Sequence, residues 1–248
     1  MGKSKLLNDV RTVLRYKHYS PRTEKNYIHW IKDFIFFNNK KHPDTMGENE
    51  IRNYINYLAV ERRVSASTQN QALNAILFLY KNVTKKEIGW IENIERVRRK
   101  RHIPVVFSQI EAKKIIDLME GIPRLVVSLL YGSGLRLIEC LRLRIKDIDF
   151  DYRQIVVRDG KGEKDRITLL PESQIPDIRR QIQKVRHMHE IDLKNNLGET
   201  KLPYALKKKY KNAGKELGWQ YVFPASKFVY DKDSNLKFRY HIHTAWGI

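Results

Sequence analysis

The sequence is short of cysteine, of acid and of long apolar runs, and each shortage excludes something. One cysteine in 248 residues, Cys140, rules out an internal disulfide and any thiolate-rich metal site. Standing alone, Cys140 reads as a small buried hydrophobe rather than a reactive thiol. No stretch approaches the ~20 apolar residues that cross a bilayer. Met1-Gly2-Lys3-Ser4-Lys5 has no apolar core of a secretory leader, and Leu6 stands where a myristoylation signal needs Ser or Thr. The expected location is therefore the cytoplasm, with no membrane partner. The acid deficit is the most directive: 28 Asp+Glu against 48 Lys+Arg leave a net charge of +20, which selects a polyanionic partner, nucleic acid first. A 42% hydrophobic content over 248 residues still suffices for one or two cores.

Helical periodicity dominates the first third. Ser20-Pro21-Arg22-Thr23-Glu24 supplies an N-cap, a first-turn proline and an early acid, after which Tyr27, Ile28, Ile31, Phe34 and Ile35 recur at helical spacing. Further helices are expected at about 4 to 16, 48 to 62 and 67 to 82, which together make a four-helix bundle over residues 1–93. The basic run Glu95-Arg96-Val97-Arg98-Arg99-Lys100-Arg101 ends at Pro104 and reads as a linker over 94–105. Between two basic domains, Arg96, Arg98, Arg99 and Arg101 suit a strap that tracks phosphates.

A second domain, 106–248, opens at the capping box Ser108-Gln109-Ile110-Glu111. Helices are expected at about 122 to 131, 136 to 144 and 174 to 193, with two β-rich runs, Gln154–Arg158 and Arg166–Leu170, flanking the turn Gly160-Lys161-Gly162. The fold class is mainly α with a small β-sheet (α+β). Arg136 follows Gly132-Ser133-Gly134 at a helix start, where its planar fork can meet a phosphate. Lys161 at a hairpin tip can act as a general acid or add charge stabilisation. Taken singly, the glycines read first as a helix C-cap and an ordinary turn with an exposed lysine, and Glu139 is equally a surface acid neutralising Arg136 or Arg142.

In order, Gly134-Leu135-Arg136-Leu137-Ile138-Glu139, Asp147-Ile148-Asp149 and Gly160-Lys161-Gly162-Glu163-Lys164-Asp165-Arg166 resemble the tyrosine recombinase (phage integrase) family, with its G-L-R-x-x-E helix and G-K-G-x-K-x-R hairpin. Tyr19-Ser20-Pro21-Arg22-Thr23 and Tyr27 look like the opening of that family's core-binding domain. The resemblance implies a DNA clamp of two domains, catalytic roles for Arg136 and Lys161, no cofactor and no metal, a phosphotyrosine intermediate, and assembly of the complete member as a tetramer on DNA. Within the family the likeness is to integron integrases. Leu202–Tyr210 and Trp219–Ala225 look like their insert, here at about 195–240, which the family uses on folded single-stranded sites. Lys207, Lys208 and Lys209 would then hold backbone phosphates, and Trp219, Tyr240 and His241 would stack extruded bases; a local core is the plainer reading of Trp219.

The family also supplies an H-x-x-R box and a nucleophilic tyrosine after the hairpin, and no such series occurs in these 248 residues. The expectation is an incomplete catalytic domain, C-terminally truncated, that binds double-stranded and folded single-stranded DNA without cleaving it. Tyr230 and Tyr240 stand in the wrong order to serve as nucleophile, and His187, His189, His241 and His243 lack the spacing partners of a metal site. The alternative is a basic DNA- or RNA-binding protein without recombinase activity, although RRM and KH signatures are both missing.

Overall fold

The computed structural model describes residues 4–88, 105–158, 165–203, 206–231 and 235–244. The chain divides into two compact units, Met1–Pro104 and Val105–Ile248.

The first unit is a bundle of α1 (Lys5–Tyr16), α2 (Pro21–Phe37), α3 (Glu48–Val60) and α4 (Ala66–Phe78), the last continued by a π-helical turn, Leu79–Thr84. Its starts are written in the sequence. The Ser20 hydroxyl accepts from the Thr23 amide at 3.2 Å, the Ser65 hydroxyl from the Thr68 amide at 3.3 Å, and Glu50 accepts from the Gly47 amide at 2.7 Å. Val10, Leu14, Ile31, Phe34, Ile51, Leu58 and Ile76 form the dry interior. Two tyrosines are buried with them only because each hydroxyl has a partner: Tyr54 donates to Asp33 at 2.6 Å and Tyr80 to the Pro43 carbonyl at 3.0 Å.

The second unit places α5 (Gln109–Asp117), α6 (Gly121–Ser133), α7 (Leu137–Leu141), α8 (Ile175–Lys194) and the short α9 (Leu206–Lys209) around two small antiparallel sheets. One has the order β1 (Ile148–Asp149), β2 (Gln154–Val157), β3 (Arg166–Leu169); the other pairs β4 (Pro224–Asp231) with β5 (Leu236–His241). Helix α6 ends at Gly134, whose φ of +62° is a left-handed C-cap. At Gly132 a Cβ would lie 2.5 Å from Pro171, so the bare backbone lets the chain after β3 pass close.

Three features depart from the expected pattern. The helix expected over 136–144 stops at Leu141, because the Leu143 carbonyl accepts from Val222 at 2.9 Å and the Ile145 amide donates to Gln220 at 3.1 Å. Those backbone groups serve a distant extended segment, bridged at Arg144 and Tyr221, instead of the helix ladder. In β3 the apolar residues Ile167 and Leu169 face solvent, while Arg166 and Thr168 turn inward. Polar partners set that register: the Thr168 hydroxyl donates to the Ser133 carbonyl at 2.6 Å and Arg166 reaches Glu139 at 2.8 Å. The β4–β5 pair lies within the segment 195–240, for which helical or strand periodicity gives no expectation, although Phe228-Val229-Tyr230 and Leu236–Tyr240 are β-rich runs. The segment thus carries regular structure of its own.

Candidate nucleic-acid interface

Arg136 is the N-cap of α7, and Glu139, three residues on, folds back over it. Glu139 accepts from the Arg136 amide at 2.9 Å, from the Arg136 guanidinium at 2.7 Å and from Arg166 of β3 at 2.8 Å. The carboxylate is buried with 8% of its side chain exposed, whereas Arg136 keeps 59%. One buried acid therefore aims an exposed cation. Burial alone would raise the Glu139 carboxyl, but the bonds from Arg166 and Arg136 outweigh it and hold it at about 2. Glu139 is thus shared between two arginines rather than being a surface acid for one.

Beside this corner opens a cleft of ≈ 590 Å³ between α7, the start of the first sheet and the β4–β5 hairpin. Its cationic rim includes Arg142, Arg158 and Lys201, and its aromatic wall includes Trp219, Tyr221, Tyr230 and Tyr240. Arg158, directly after β2, is directed by buried Asp147 at 2.8 Å. Lys201 pairs with Asp231 at 2.6 Å. The ring of Trp219 carries the Lys146 ammonium 3.0 Å from its centroid. Burial and the neighbouring Arg158 charge both press the Lys146 pKa down.

The wall carrying these rings is fastened to the rest of the unit by polar side chains from one buried face of α8. Gln181 donates to the Val222 carbonyl at 2.8 Å, a ring nitrogen of His189 meets the Lys215 carbonyl at 2.9 Å, and Asp192 receives the Arg239 guanidinium in bidentate fashion at 2.5 and 2.9 Å. Arg239 also donates to the Ser226 carbonyl and lies 4.1 Å from the Phe228 ring centroid. Across a sequence gap of 47 residues, the Asp192 fork binds the hairpin to the helix.

The residues singled out by sequence divide in three. Arg136, Trp219 and Tyr240 lie at or beside the cleft. His241 does not present a face to it: the ring is buried, flanked by Tyr240 at 4.1 Å and Tyr221 at 5.6 Å, and burial lowers its pKa. Contrary to the expectation from sequence, the His241 ring is enclosed by its neighbours and offers no open face to a base. Lys209 is exposed on α9, 5.3 Å from the Tyr210 ring. Lys161, the four linker arginines Arg96, Arg98, Arg99 and Arg101, and the side chains of Lys207 and Lys208 lie outside the described residues. Among the described residues no three His, Cys, Asp or Glu side chains converge as metal ligands, and no helix is long and apolar enough to cross a membrane. Cys140 is buried and its thiol is pushed up to about 12 by burial. Sequence reasoning missed Arg142, Arg144, Tyr221 and Tyr230; the alternation Leu141-Arg142-Leu143-Arg144 was the available signal for the first two.

The same two-unit organisation appears in known proteins. Residues 6–90 match the phage integrase N-terminal SAM-like domain and residues 106–228 match the phage integrase family. An integrase/recombinase of Escherichia coli and one of Pseudomonas aeruginosa are each 42% identical over 239 residues, covering 96% of this chain and 71% of the relative. The chain belongs to the phage integrase family of tyrosine recombinases. Tyrosine recombinase XerA of Thermococcus onnurineus is 29% identical over 174 residues, which is 68% of this chain and 58% of that protein. Among solved structures, the Tn1549 transposon integrase in complex with transposon right end DNA superposes with a TM-score of 0.56 at 14% identity, over 73% of this chain and 66% of that one, a likeness of fold. In phage integrase terms the first unit is the SAM-like domain, and the second carries the Arg136–Glu139–Arg166 corner within the catalytic domain.

Proposed function

We propose that this chain is the DNA-binding part of an integron-type integrase, a site-specific recombinase acting on cytoplasmic DNA, with the cleft as the seat of an unpaired base from a folded single strand. The observation that carries this reading is the cleft itself. It is lined by the aromatic residues Trp219, Tyr230 and Tyr240 together with the cations Arg142 and Arg158, beside the corner that aims Arg136. Aromatic faces accept any base, and guanidinium groups hold the phosphates between bases. A fully paired duplex offers no base to such a wall.

In the proposed arrangement Arg136 clamps the scissile phosphate and Lys161 approaches the leaving oxygen from its hairpin. Arg96, Arg98, Arg99 and Arg101 strap the backbone, and Lys207, Lys208 and Lys209 extend the contact along the stem. We further propose that this polypeptide, whose 248 residues contain no H-x-x-R box, binds DNA without forming a covalent link. Affinity for a DNA hairpin with bulged bases, set against the same stem fully paired, tests the reading. A base stacked on an aromatic side chain contributes about 1–3 kcal/mol, so the bulged form should bind about tenfold tighter. Equal affinity for the two would refute the base-receiving cleft.

A further inference from the structure

We infer that Arg144 is a positioning residue that sets the aromatic wall of the cleft against the recombinase core, a role that rests on the cleft being the seat of an unpaired base. Arg144 sits between α7 and β1, the part of the chain that belongs to the core, and its backbone forms an antiparallel bridge with Tyr221 of the insert. Its guanidinium then reaches two further points of the insert. One terminal nitrogen donates to the Trp219 carbonyl at 2.5 Å and the other to the Lys201 carbonyl at 3.0 Å. The guanidinium carbon lies 4.6 Å from the centroid of the Tyr221 ring and 5.5 Å from that of Trp219. A single planar group thus ties together residues 201, 219 and 221, all of which line the cleft.

The energetics favour a geometric purpose. Arg144 is 8% exposed, and its guanidinium hydrogen-bonds to carbonyls, with the nearby Asp147 charge adding a favourable attraction. Burying such a charge carries a large desolvation cost that carbonyl dipoles and ring faces offset only when every donor is well placed. Burial depresses its pKa, yet arginine stays charged throughout the accessible range. A site that needed only volume is filled by Leu or Met without that cost. What a hydrophobe cannot do is hold two carbonyls in one plane at fixed separation. A lysine cannot do it either, since its compact ammonium lacks the fork.

The test is Arg144→Lys, which keeps the charge and loses the fork. Binding of the bulged hairpin and of the fully paired stem is measured by fluorescence anisotropy for the unaltered chain, Arg144→Lys, Trp219→Ala and the double variant. The expected result is that Arg144→Lys reduces a preference of about tenfold to about twofold or less, with affinity for the paired stem held within about twofold. Trp219→Ala should then add little in the double variant, because both changes remove the same platform. A merely structural Arg144 predicts a lower melting temperature with the preference retained, and that result overturns the inference while leaving the cleft reading intact. Equal binding of both DNAs by the unaltered chain overturns both. Should Arg144→Lys fail to fold, the unaltered chain labelled with ¹⁵N-arginine gives the answer. Separately resolved, slowly rotating Arg144 guanidinium signals that shift with the bulged hairpin and not with the paired stem support the role. A freely rotating Arg144, or signals indifferent to the unpaired bases, refutes it.

Discussion

Removal of the Glu139 carboxylate should unseat the corner that aims Arg136. Glu139→Ala deletes three hydrogen bonds of 2.7 to 2.9 Å and leaves two arginines without their shared partner. Bonds to charged groups contribute about 1.5–3 kcal/mol each where the partners stay buried. Here the side chains of Arg136 and Arg166 are 59% and 35% exposed, so water recovers much of what they lose. The net loss should be about 2–3 kcal/mol, close to one strong bond rather than three. In a unit of this size that is a fall of about 5–10 °C in the melting transition, read by calorimetry on the whole chain with the SAM-like unit as internal reference. The pH dependence gives an independent check. Burial pushes the Glu139 carboxyl up, but its arginine bonds prevail and hold it at about 2. The unfolded value is about 4.3, so the stabilisation is complete above that pH and is lost as pH falls towards 2. Glu139→Gln should flatten the acid limb of the stability profile between those values. A Glu139→Ala chain that melts within about 1 °C of the parent would refute the reasoning.

Three further outcomes follow from the same geometry. Asp192→Ala should free Arg239 and detach the β4–β5 hairpin from α8, raising amide exchange in residues 224–241 while the first unit is unaffected; unchanged protection there would contradict the tether. Replacing Arg142 and Arg158 by Ala should reduce the slope of log affinity against log salt by about 1 per lost phosphate contact, so an unaltered slope would remove them from the interface. A nicked suicide substrate should yield no protein–DNA adduct on a denaturing gel, and an adduct that disappears with Tyr230→Phe or Tyr240→Phe would assign a nucleophile to this polypeptide.

What the sequence makes legible is whatever is local. Ser20, Ser65 and Ser108 mark helix starts because each cap is settled within three residues, and the β2–β3 hairpin shows itself by β-rich runs about a glycine turn. The Arg136-x-x-Glu139 spacing likewise encodes its own capping geometry. Non-local features are hidden. Helix α7 ends early because Leu143 and Ile145 bond residues 222 and 220, far along the chain. Arg144 and Arg239 read as surface cations in any local window, yet both are fixed inside by carbonyls or a carboxylate at separations of 47 to 75 residues. Residues Ile167 and Leu169 suggest an inward face that Arg166 and Thr168 take instead, since those two have waiting partners on α7 and α6. His241 shows the converse, a polar ring that a basic, aromatic stretch suggests is presented to DNA and that packing buries.

The most direct test of the cleft is to photocrosslink a DNA hairpin bearing 5-iodouracil at a bulged position. The unpaired base should join to Trp219, Tyr230 or Tyr240, and the yield should collapse when the same iodouracil is placed in a fully paired stem. Crosslinks confined to the SAM-like unit, or equal yields from paired and unpaired positions, would contradict it.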